Sequence, residues 1–289
     1  MKNKLLALMA LCGATSSTMP LWAAWDDPEL DFVNPNLTEN VEGGGVYYVY
    51  HVATQKFMVE GNYKADWGTE LVVGDEGKKI TLSWGQDYEL SRRPQTDVEY
   101  NAAFGWRMSM KEGKTNSQLH ELYIPAGLQL CVDHDKQGHM LWKIVKQSDK
   151  TYRIKISDSD PMYGATSEYA NDYIGVIEGE LGVTALVRDG AAGVDNPGYD
   201  WKFVAPDVYD VYQAKKKLKV QLEAADAAGY KDYTAYADLY NDANAKVEAL
   251  EEATVNLKSE ILDFKYNSAT ELQPMDVTDL ISQPSFKES

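Results

Sequence analysis

Trp84, Trp142 and Trp201 lie 58 and 59 residues apart, and each closes a short apolar run that reads as a β-strand. The last two share a pattern, Trp142-Lys143-Ile144-Val145 and Trp201-Lys202-Phe203-Val204. A tyrosine-led strand opens each unit, at Tyr47 or Tyr48, at Tyr88 and at Tyr152. Regular spacing of this kind is the mark of repeated supersecondary units. Three such units between residues 46 and 205 predict a threefold barrel, with the three tryptophans at equivalent core positions.

Local patterns supply the strands. Val46-Tyr47-Tyr48-Val49-Tyr50-His51-Val52 is β-branched and aromatic, as a strand requires. Lys56-Phe57-Met58-Val59-Glu60 reads as a second. Glu70–Val73 and Lys78–Trp84 flank Gly74-Asp75-Glu76-Gly77 and read as a hairpin, the glycines supplying positive φ. Leu128–Val132 and Leu141–Val145 read as another hairpin, across Asp133-His134-Asp135-Lys136-Gln137-Gly138.

From Pro206 the period changes. Val211, Leu218, Leu222 and Ala225 fall on one helical face, and Gly229 is a natural stop. Asp232 is placed to cap a short piece bearing Tyr233, Tyr236 and Tyr240. Val247, Leu250, Leu257, Ile261 and Phe264 mark a longer helix. The expectation for 206–266 is an antiparallel helical hairpin. Residues 267–289 are polar, carry Pro274 and Pro284, and read as a linker or the start of a truncated further module.

The N-terminal residues read as an address. Met1-Lys2-Asn3-Lys4 is basic, Leu5–Leu11 is apolar, and Ala23-Ala24 ends the stretch with small residues. That order predicts a secretory signal over 1–23, removed after Ala23 or Ala24, and hence a secreted or cell-surface protein. Its apolar centre is far short of the ~20 residues of a spanning helix, so no integral membrane segment is expected. Cys12 opens a lipoprotein alternative, although Leu11 precedes it where lipoprotein signals carry Gly or Ala. Residues 24–45 hold Asp26, Asp27, Glu29, Asp31, Glu39 and Glu42 and no base, and read as a mobile acidic leader.

Charge and cysteine content exclude several roles. The formal net charge is −17, the reverse of what phosphate neutralisation needs, so no nucleic-acid partner is expected. The acidity is spread over leader, β region and helices, which suits a solvated surface. With two cysteines, one of them in the signal, a disulfide scaffold is excluded. Cys131 reads as a small buried apolar residue.

The segment Gly45–Met58 resembles the opening of ricin-B-like β-trefoil modules, and Gly61-Asn62 with Trp67-Gly68-Thr69 is similar to versions in large secreted proteins of Gram-negative gut anaerobes. Tyr240–Ala253 resembles the helical spacer segments of bacterial surface proteins, and Met275–Phe286 looks like the lead-in to a further β-sandwich. The resemblance implies a mainly β plus α chain: a β-trefoil-like barrel over 46–205 followed by the helical hairpin. Sugar-binding ricin-type repeats carry Gln two residues before the tryptophan, where this chain has Leu82, Met140 and Tyr199. No family sugar site carries over.

Chemistry-bearing constellations are sparse. Asp133, His134, Asp135 and His139 match no closed zinc or calcium pattern and read as a polar tip. Four histidines and no Gly-x-Ser-x-Gly elbow leave nucleophilic catalysis without support, so the chain reads as a non-enzyme with no metal or cofactor. Glycan recognition needs a ring to stack on a sugar face and short polar groups for its hydroxyls. Trp67 beside Asn62 and Asp66 is the best local fit, with Trp106 and the Tyr163, Tyr169, Tyr173 loop next. The leading role is a secreted recognition module for glycan or a surface protein ligand. A structural spacer in a multidomain surface protein and a protein-binding or inhibitor trefoil are the alternatives.

Overall fold

A computed structural model of the chain describes residues 25–28, 30, 44–64, 68–85, 105–110, 121–123, 130–133, 141–147, 150–158, 173–176, 184–187 and 197–270. These residues form two compact units, one within 28–214 and one combining the first 27 residues with 215–289.

The first unit is built of β1 (Gly45–His51), β2 (Lys56–Lys64), β3 (Gly68–Gly74), β4 (Lys79–Gly85), β5 (Gly105–Ser109), β6 (Glu121–Tyr123), β7 (Cys131–Asp133), β8 (Trp142–Lys146), β9 (Tyr152–Ile156), β10 (Tyr173–Val176), β11 (Thr184–Val187) and β12 (Trp201–Val204). Antiparallel pairings run β1–β4, β4–β5, β5–β8, β8–β9, β9–β12 and β12–β1. That ring closes, so these six strands form a barrel without an edge. The other strands pair as hairpins, β2–β3, β6–β7 and β10–β11. Six barrel strands interleaved with three hairpins, in three units of four strands, is the β-trefoil arrangement, as the sequence led one to expect.

The register fixes which residues are equivalent. Trp142 pairs with Trp106 on one side and Ile156 on the other. Trp201 pairs with Tyr152 and His51. In the first unit the residue facing Tyr47 is Ile80. Tyr47, Trp106 and Tyr152 are therefore threefold mates, and four residues on from each stand His51, Met110 and Ile156. The mate of Trp142 and Trp201 is Ile80, not Trp84. Trp84 sits four residues further along, opposite Trp106, whose ring it meets edge-on at 5.3 Å. The expected period was real, and one of its three markers was misassigned. A core layer demands apolar volume on the right strand face, and isoleucine meets that demand as well as tryptophan does.

The core follows from period-2 alternation. On β1, Tyr47, Val49 and His51 point into the barrel, while Tyr48 and Tyr50 point out. Inward residues of the other units, among them Met108, Ile154, Leu82, Ile144 and Phe203, complete a single apolar cluster. On the outer face Tyr48 stacks on Tyr209 (3.6 Å between centroids, 9° between planes), and Phe57 meets the Tyr209 and Tyr212 rings edge-on. The backbone N–H of Gly77 donates to Tyr209 Oη at 2.8 Å. Leu30 packs on this aromatic group.

Two expected hairpins are corrected. β3 pairs with β2 and β7, and β4 pairs with β1 and β5, so Gly74–Gly77 joins a cap strand to a barrel strand. Likewise β7 pairs with β6 and β3, and β8 with β5 and β9. In this topology the third strand of each unit belongs to the cap and the fourth returns to the barrel, so neighbours in sequence are not neighbours in the sheet.

Three helices follow: α1 (Pro206–Ala228), α2 (Thr234–Asn241) and α3 (Val247–Thr270). Pro206 opens α1, where its missing N–H costs nothing, and Tyr209 N–H donates to Ala205 O. Gly229, at φ 75°, ends it: Gly229 N–H bonds Asp226 O and Tyr230 N–H bonds Ala225 O, closing the helix in a Schellman motif. Leu218, Leu222 and Ala225 on α1, and Leu250, Leu257 and Ile261 on α3, are buried as the helical period predicts, whereas Val211, Val247 and Phe264 are half-buried. The cap of α2 is Tyr233 and makes no side-chain cap bond, so Asp232 does not cap it.

Candidate functional site

The β2–β3 hairpin carries the residues singled out for ligand contact. Its register runs Glu60↔Leu71 and then Tyr63↔Thr69, so Gly61 and Asn62 together face Glu70 alone. That is a β-bulge, a device that bends a strand and re-aims a side chain. Asn62 is exposed on it. The pairing resumes to Lys64↔Gly68, and Ala65-Asp66-Trp67 connect those two residues in sequence. Asp66 and Trp67 themselves lie outside the described residues. Beside the bulge, Lys78 pairs with Glu60.

The other candidate rings separate. Trp106 is buried in the barrel core, where its work is packing, so it is withdrawn as a ligand contact. Tyr173 opens β10 half-exposed, tilted against Tyr199 at 6.4 Å. Tyr163 and Tyr169 lie outside the described residues, as do His134, Asp135 and His139. Cys131 and Asp133 bound β7. Among the described residues no group of three His, Cys, Asp or Glu could hold a metal ion. Among them, too, no helix is long and apolar enough to cross a membrane.

A buried polar cluster escaped the sequence reading. His51 is 1% exposed and tilts against Trp201 at 4.7 Å. Its Nε2 lies 3.0 Å from Gly198 O, an atom that can only accept, so Nε2 carries the proton. Nδ1 then accepts from Thr54 N–H at 3.3 Å and lies 2.8 Å from Thr54 Oγ1. Burial pushes the imidazole below its ordinary value, and the Gly198 bond and the Asp200 charge only partly oppose it. Arg153, 5% exposed, donates from Nε to Asp200 Oδ1 at 2.9 Å. Asp200 O accepts from Val52 N–H, and Trp201 Nε1 donates to Ile174 O at 2.7 Å. These bonds fasten the turn Pro197–Tyr199 and β10 to the barrel. Both imidazole nitrogens are engaged, so the cluster is a brace. The signal available in sequence was alternation: a histidine in step with Tyr47 and Val49 must point inward.

No family model matches the chain, and no curated protein matches it. Among solved structures it is similar to the designed threefold protein ThreeFoil, at 11% identity and TM-score 0.36, over 55% of this chain and 98% of that one. It is also similar to a Culex quinquefasciatus salivary protein of a cysteine- and tryptophan-rich family, at 11% identity and TM-score 0.34, over 57% of this chain and 96% of that one. The lysenin pore is matched at 10% identity and TM-score 0.34, over 55% of this chain and 45% of that one, less than half of its length. The class of the first unit, a β-trefoil-like domain, rests on its closed strand ring and three hairpins.

Proposed function

We propose that the chain is an exported, non-catalytic recognition module that binds glycan or another surface ligand through the β2–β3 hairpin of its trefoil-like unit. The observation that carries this reading is the bulge, with Asn62 exposed on the hairpin whose connecting residues include Asp66 and Trp67. An amide and a carboxylate for hydroxyls, with an indole for an apolar sugar face, make the chemistry of a carbohydrate contact. The basic-then-apolar N-terminal sequence supports export. A glycan array probed with the full chain tests the proposal. Binding that disappears in Trp67→Ala and weakens in Asn62→Ala is the expected result. A second reading, a spacer that displays modules at a surface, is favoured by the separate compact helical unit. It predicts silence on every glycan.

A further inference from the structure

The residues directly after the signal-like stretch are bound to the helices. Trp25 Nε1 donates to Asp226 Oδ2 at 3.1 Å. Its ring lies edge-on to Tyr233 (6.2 Å, 69°) and to Tyr240 (5.8 Å, 82°). Tyr240 Oη donates to Asp26 O at 2.5 Å. Asp27 pairs with Lys219 at 2.6 Å. Three consecutive residues thus make an indole anchor, a main-chain bond and an ion pair. The receiving residues come from α1, α2 and the turn between them.

The receiving site is itself braced. Tyr233 Oη donates to the other oxygen of Asp226 at 2.6 Å, so that carboxylate is shared between the incoming indole and its own neighbour. Tyr230 and Tyr236 donate one to each oxygen of Glu260, which ties this end of α1 and the start of α2 to α3. Lys215 Nζ reaches Asp242 O at 2.8 Å, with Tyr240 6.0 Å below it. A short amphipathic helix such as α2, of eight residues, buries little by itself. The rings it presents toward Trp25 are what the segment covers.

We infer that Trp25-Asp26-Asp27 is an internal ligand of the helical unit, which processing at Ala23-Ala24 leaves in place as the new N-terminus of the chain. Processing on either side of Ala24 leaves Trp25 as the second or the first residue. The step is hydrolysis: water adds across the peptide bond, a carboxylate stays on the departing signal, and the mature chain takes the amine and its proton. A signal peptidase supplies the catalysis. The small residues that such a protease accepts end where the docked segment begins, so cleavage one bond later would remove the anchor. Burial raises the Tyr240 hydroxyl, and the charges of Asp27, Asp26 and Glu223 add to it, so the docked acids lie close to this ring.

The test uses the full chain with its own first 24 residues, exported to a bacterial periplasm. Intact mass and N-terminal sequencing should give a start at Ala24 or Trp25. A start beyond Trp25, an unprocessed chain, or a lipid-modified Cys12 overturns the inference. Hydrogen exchange is then compared with Trp25→Ala. Loss of the ring contacts and the indole bond should speed exchange in α2 about tenfold and leave β1 and β12 unchanged. Equal exchange in α2 overturns the inference. Should Trp25→Ala fail to accumulate, Trp25→Phe keeps a six-membered ring and loses the N–H with the rest of the indole, and α2 must still exchange faster than in the unaltered chain. None of these readouts depends on a glycan ligand.

Discussion

Replacing His51 by methionine separates the threefold packing of the barrel from its buried imidazole. Methionine already occupies the mate position, Met110, so the site accepts its shape. At neutral pH the variant loses the bond to Gly198 O and the bond from Thr54 N–H, and a lost hydrogen bond costs about 1 kcal/mol. The pH dependence carries the sharper test. In the folded chain burial holds the imidazole below its ordinary value, whereas the unfolded chain titrates near the usual ~6.5. The unfolded state therefore binds the extra proton, and stability falls as pH falls below that value. If the folded ring stays neutral throughout, the loss between pH ~7.5 and ~5.5 is about 1.4 kcal/mol. Urea unfolding followed by tryptophan fluorescence at the two pH values measures it. The unaltered chain should lose up to that amount more than His51→Met does. Equal losses in the two proteins would refute the assignment of His51 as a neutral, buried brace.

Three further outcomes follow from the packing. In Gly77→Ala the new methyl would stand 2.6 Å from Tyr48 Cδ1 and 3.1 Å from both Phe57 Cγ and Tyr209 Cε2. The ring stack must open, at a cost of about 1–3 kcal/mol, read as a lower melting temperature and reduced near-ultraviolet circular dichroism. Trp201→Phe keeps most of the buried ring but leaves Ile174 O without its indole donor, and should lower stability by about 1–3 kcal/mol in denaturant titration. In the helical unit, burial and Glu260 push Tyr236 up to about 12. Because its folded value is raised, its contribution is intact below pH ~10 and is lost as pH climbs toward the folded value. Glu260→Gln should bring part of the tyrosinate absorbance to lower pH.

Most strands of the barrel were legible because alternation and aromatic content are local properties, but β5, which carries Trp106, was not read as a strand. Tyr47, Val49 and His51 fall on one face by count alone. Strand partners were not legible, since Gly74–Gly77 has the chemistry of a hairpin turn and serves instead as a passage from cap to barrel. Trp84 was mistaken for a repeat marker because spacing counts residues along the chain and the core counts positions across the ladder. The centres of the helical faces of α1 and α3 were legible from their period, while Val211, Val247 and Phe264 at their ends are only half-buried. The docking of Trp25 was hidden: an acidic stretch with prolines has the composition of a mobile leader, and only the aromatic cluster at Tyr233 and Tyr240 gives its indole somewhere to go. Of the proposed ligand site, the sequence marked Asn62 by residue type, while the bulge beside it is a property of two strands together.

The layer formed by Ile80, Trp142 and Trp201 has one more consequence. A barrel of three like units can assemble with a unit in the wrong place, the characteristic failure of repeat proteins. Here the three members differ in bulk. A copy of the second or third unit in the seat of the first would bring a third indole into space that holds isoleucine, and overpacking a core is costly. Unequal residues at equivalent positions thus act as a key for unit order, letting the chain keep threefold geometry without threefold interchangeability.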